Sequence, residues 1–157
     1  MSADPSTRPE LPDELAPGQA FVLRILWAAF IATQAIFAGV LVFVGAEIAA
    51  NGDPEAAASM LPIFAALALG SAGLSLFGIP GVAARQGLDF TTATLLRFAT
   101  AETVGIFGLV LGFMGLDLAY ALGFLGAGAL LILAQLPSAQ SYRRYRDDVR
   151  NARSHRR

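Results

Sequence analysis

Apolar residues run along the chain in four long blocks, and the charges crowd into the short stretches between the blocks and into the two ends. A helix rising 1.5 Å per residue needs about 20 apolar residues to cross roughly 30 Å of hydrocarbon. The pattern predicts four such helices, over 20–45, 60–80, 94–115 and 117–136. The last two meet at Leu116 and Asp117, which makes them a tight helical hairpin. The expected fold is therefore an all-α, integral membrane bundle of four transmembrane helices spanning 20–136. A Pro-rich acidic segment, 1–19, precedes it and reads as disordered; a basic tail, 137–157, follows. The leading segment lacks the positive flank of a signal peptide, so the first helix is expected to be retained.

Composition sharpens this reading. The chain has 157 residues, of which 55% are hydrophobic and 15% charged, whereas a soluble domain keeps about a quarter of its residues charged. Cysteine is absent, and the single histidine, His155, stands in the charged tail. Thiol nucleophiles, histidine triads and multi-histidine metal sites are thereby excluded, and no nucleophile is assembled with a base; an enzyme is not expected. Neither a basic folded surface nor a nucleic-acid-binding module is present.

All 11 basic residues are arginine. Arg8 and Arg24 flank the first helix, Arg85 and Arg97 the middle loop, and seven more follow the fourth helix in SYRRYRDDVRNARSHRR. The loop AEIAANGDPEAAAS carries only acidic charge. Basic flanks stay on the cytoplasmic side, so four spans with both termini and the middle loop cytoplasmic satisfy every group at once. The expected location is the plasma membrane, of the bacterial inner-membrane kind. In the tail, seven arginines against Asp147 and Asp148 leave a net charge of +5. Arg143, Arg144 and Arg146 are expected to meet anionic lipid head groups, with Tyr142 and Tyr145 as interfacial anchors.

Helices in lipid pack through small residues that let backbones approach. Gly105, Gly108 and Gly112 recur along one stripe of the third helix, and Gly70, Ser71, Ser75 and Gly78 form a comparable face on the second. Glu102 starts the first of these stripes, in RFATAETVGIFGLVLGFMG. An ionised carboxylate at that depth costs on the order of 2.5–3.5 kcal/mol. It must be neutralised by a proton, paired, or hydrated, and two readings stay open. Glu102 either loads and releases a proton, or hydrogen-bonds a neighbouring helix, with Gln34 of the first helix as its partner.

Residues 60–115 resemble the proteolipid c-subunits of rotary ATP synthases and their vacuolar-type relatives. The resemblance rests on the order of FAALALGSAGLSLFG, the loop ARQG at Ala84 to Gly87, and AETVGIFGLVLGF at Ala101 to Phe113. Gly87 stands where that family commonly has proline, and the carboxylate lies on the third of four helices rather than the fourth. The resemblance implies a carboxylate that binds H⁺ or Na⁺, here Glu102, with Thr103 and Gln34 as secondary ligands. Phe107 stands where sodium-type members carry a tyrosine, which favours the proton. It also implies a homo-oligomer or a subunit of a membrane complex, alongside membrane lipids as partners.

Overall fold

Three aspartates fix where helices begin. A computed structural model describes Pro12 and residues 14–154. In it Asp53 accepts a hydrogen bond from the Ala56 amide (2.9 Å), Asp89 from Thr92, and Asp117 from the Ala119 amide (2.8 Å). Each side chain thereby satisfies an amide that the first helical turn leaves unpaired. The helices so delimited, with those that proline or a serine turn starts, are α1 (Pro17–Asn51), α2 (Pro54–Gly73), α3 (Ile79–Gln86), α4 (Phe90–Phe113), α5 (Leu118–Leu133) and α6 (Ala139–Ser154). No strand occurs among the described residues.

The first three expected spans are covered by helices that begin earlier than expected, whereas α5, over the fourth, is shorter at both ends. α1 extends past 20–45 in both directions, because Pro17 is pre-set for a first helical turn. The second span begins at Pro54 and runs without a break to Gln86, through a π-helical turn at Leu74–Gly78. The cause of that turn is Pro80. It has no amide proton to donate, and its ring would strike the carbonyl four residues back. The preceding turn widens instead, and the Ile79 amide donates to Leu74 O, five residues away. Three helical stretches, Pro17–Ile48, Pro54–Gln86 and Phe90–Phe113, are long and apolar enough to cross a membrane. α5 is equally apolar in character but has 16 residues. The disordered lead expected over 1–19 lies mostly outside the described residues, as does His155; from Pro17 onward that lead is helical.

α4 is the hub. It packs against α5, α2 and α1, and α5 also packs against α1. The core has three tiers. Leu41, Ala121 and Leu125 fill the tier near the α4–α5 hairpin. Phe98, Ala101 and Ile132 fill the middle, closed by Trp27, whose indole donates to Ile132 O (2.8 Å). Leu23, Ala83, Ala84, Phe90, Ala93, Tyr142, Tyr145 and Val149 form the third tier, at the opposite end. There the start of α1, the α3–α4 turn and α6 come together. At the hairpin end, the Asp53 amide donates to Met114 O (2.9 Å), and Gly115, at φ +101°, lets the two loops touch. Any side chain on Gly115 would be strained.

The glycines divide sharply. A Cβ on Gly108 would meet Phe124 Cβ at 2.5 Å and Ala121 O at 2.6 Å, and one on Gly112 would meet Leu41. Gly105 is closed by the Gln34 amide. α4 and α5 thus cross almost backbone to backbone. On α2, a Cβ on Gly70 would meet nothing within 4 Å, so this end of the expected small face is open, while Ser75 at its other end is buried.

The tail is not a free basic strand. α6 places Tyr142, Tyr145 and Val149 on one face, at helical spacing, and buries them against Phe90, Ala83 and Leu23. Tyr142 donates to Pro12 O (2.8 Å) and Tyr145 to Leu88 O (2.6 Å). The two tyrosines expected as lipid anchors are buried inside the protein instead, because Phe90 offers both rings an edge-on or tilted aromatic partner. Burial, with the charge of Asp89 close by, pushes the Tyr145 hydroxyl up to about 12.

Candidate functional site

Glu102 lies midway along α4, ~18 Å from its first residue by helical rise. It stands one step outside the buried stripe of Ala101, Gly105, Gly108 and Gly112, and is half-buried. The residues that continue its edge, Ile106, Val110 and Phe113, are exposed large apolar side chains. Glu102 therefore sits on the outer ridge of the bundle, level with the apolar belt. Among the described residues its carboxyl makes no hydrogen bond and no ion pair.

The partners expected for it are turned elsewhere. Gln34 is 2% exposed, but its amide is wedged into the α4–α5 crossing, against Gly105 and Gly128, and neither polar atom finds a hydrogen bond. The interhelical bond between Glu102 and Gln34 is thus not formed. The amide occupies instead the space that the missing side chains of Gly105 and Gly128 leave open. The Thr103 hydroxyl donates to Ala99 O within its own helix (3.0 Å). Phe107 packs edge-on against Phe64 of α2, ring centroids 5.3 Å apart.

A second polar group joins Ser75 and Arg97 to Gln135, which the sequence pattern does not single out. Ser75, in the π-helical turn, is fully buried and donates its hydroxyl proton to Arg97 O (2.9 Å). Arg97 returns the bond, its Nε donating to Ser75 O (3.1 Å). Gln135, just past α5 and 6% exposed, donates Nε2 to Ser75 Oγ (2.8 Å). Three helical segments of the chain are tied at one serine. Arg97, expected as a cytoplasmic flank of the third span, is half-buried at this knot. Its position follows from α4 starting at Phe90, which puts one full turn and more before it. The proline at position 80 is the sequence signal for the knot, since it creates the turn that aims Ser75 inward.

The arrangement offers one carboxyl without a partner among the described residues, on the outer ridge of α4, and one half-buried arginine in a polar knot near the end where α6 packs. Comparison with protein-family models, curated proteins and solved structures finds no match for the chain.

Proposed function

We propose that the protein is a multi-pass protein of a bacterial inner membrane, proteolipid-like, in which Glu102 binds and releases a proton. The observation that carries this reading is the carboxyl's placement: half-exposed on the outer ridge of α4, in line with Ile106, Val110 and Phe113, with no partner among the described residues. A carboxylate there is costly unless a proton neutralises it, and a residue that bears that cost is functional by default. The absence of an internal bond argues against a purely structural Glu102. The outward placement suits a site completed by a second copy or by another subunit of a complex.

Proton binding is favoured over Na⁺, because a sodium ion needs several oxygen ligands. Gln34 faces the α4–α5 crossing, Thr103 bonds its own helix, and Phe107 supplies no oxygen. In this reading α5 completes the fourth span, and both termini with the α3–α4 turn are cytoplasmic. The support is the arginine distribution, together with the packing of α6 beside that turn.

Carbodiimide labelling of the full chain across pH, with the adduct located by mass spectrometry, tests the proposal. Glu102 is expected to be modified, with labelling lost in Glu102→Gln and insensitive to Na⁺. Failure to label at any pH overturns proton binding. Protection by Na⁺ overturns the choice of ion.

A further inference from the structure

A cavity of about 320 Å³ lies between α4, the end of α5 and α6, walled by Thr94, Arg97, Gln135, Arg144 and Asp148 among others. Gln135, one of its buried lining residues, has an unmet hydrogen bond. Ser75 has one hydroxyl proton and gives it to Arg97 O, so it can only accept from Gln135. The Gln135 amide is thereby fixed with Nε2 as donor to Ser75, and Oε1 is left buried with no hydrogen bond. Arg97 is bound through Nε alone; its terminal nitrogens have no partner among the described residues. Arg144 faces the same space from α6, and with Asp148 one turn further along that helix, the two arginines leave the wall one net positive charge. Such a wall fits a monoanion that also carries a hydrogen-bond donor.

We propose that this cavity binds a phosphate ester bearing a free hydroxyl, its phosphate on Arg97 and Arg144 and its hydroxyl on Gln135 Oε1. Guanidinium groups suit phosphate because they offer several donors in a plane. A lipid head group is the source favoured by position, since α6 lies across the end of apolar helices and Arg97 is only ~10 Å inside the start of α4. The site is independent of the proton at Glu102.

The test uses the full chain, purified and placed in nanodiscs of mixed phosphatidylglycerol and phosphatidylcholine, with native mass spectrometry counting retained lipid. Phosphatidylglycerol, which has hydroxyls on its head group, is expected to be retained over phosphatidylcholine, which has none. Arg144→Gln is exposed and should fold; it is expected to lower that retention about tenfold, as loss of one charge-assisted hydrogen bond implies. Arg97→Gln should do the same, and Arg150→Gln, a charge on α6 outside the cavity, should leave retention unchanged. In a parallel arm, glycerophosphoglycerol, the water-soluble phosphodiester monoanion of that head group, is titrated into lipid-free protein in detergent. If it binds with the same dependence on Arg144 while lipid is not retained, the site stands and its ligand is the soluble ester. Retention of both lipids to the same extent, binding of neither lipid nor soluble ester, or equal loss in Arg150→Gln and Arg144→Gln, overturns the site.

Discussion

Single residues divide here into those held by backbone and those facing open space, and the same substitution should separate them. Gly108→Ala forces a methyl group onto Ala121 O and Phe124 Cβ, atoms that cannot move without shifting α5. A loss of about 1–3 kcal/mol is expected, the usual cost of overpacking, read by denaturant unfolding in detergent. Gly70→Ala meets nothing and removes a flexible residue from a helix. It should be neutral or stabilising by up to about 1 kcal/mol in the same assay. Gln34 is a third kind of case. Its buried amide makes no hydrogen bond, so it carries the desolvation cost of a polar group with no return. Gln34→Met keeps the shape and is expected to stabilise the protein by about 1–3 kcal/mol. A clear loss of stability would mean that the amide has a partner after all.

Among the elements, α6 shows what hydropathy misses. Its composition is basic and polar, and hydropathy alone reads a solvated tail, yet Tyr142, Tyr145 and Val149 fall at three- and four-residue steps and were legible as one face. What could not be read is the receptor, since Phe90, Leu23 and Ala83 come together only when three helices meet. The four apolar blocks, by contrast, were plain, because length and hydropathy are local properties. The Ser75 knot lies between these cases: Pro80 signals a disturbed turn, but the partners Arg97 and Gln135 are 22 and 60 residues away. Docking of α6 should also depend on pH. The Tyr145 hydroxyl titrates near 12 when docked against an ordinary value of 10. The docked state therefore favours the protonated form. Its contribution is full below pH 10, falls as pH rises, and is lost above about 12. Tyr145→Phe should remove this alkaline loss, measured by thermal melts across pH 8 to 12, while weakening docking at neutral pH by about 1 kcal/mol through the lost bond to Leu88 O.

At the scale of the whole molecule, burial and hydropathy run in opposite order. α1 and the α2–α3 helix are the most apolar long helices, and most of their side chains lie on the outside of the bundle. α4 is the least apolar of the three and the most enclosed, with Phe98, Ala101, Val104, Gly108 and Leu111 all buried. That inversion bears on biosynthesis. Helices as apolar as α1 and the α2–α3 helix can partition into a bilayer singly, whereas Arg97 and Glu102 each add roughly 2.5–3.5 kcal/mol to the cost for α4 on its own. The later-made α4 should then need its neighbours in place before it is held. In a translation reporter that scores integration segment by segment, α1 is expected to integrate alone, while α4 integrates efficiently only when α1 and α2 precede it. The order of synthesis along the chain, outer helices first and hub afterwards, is thus also the order in which the molecule can be built.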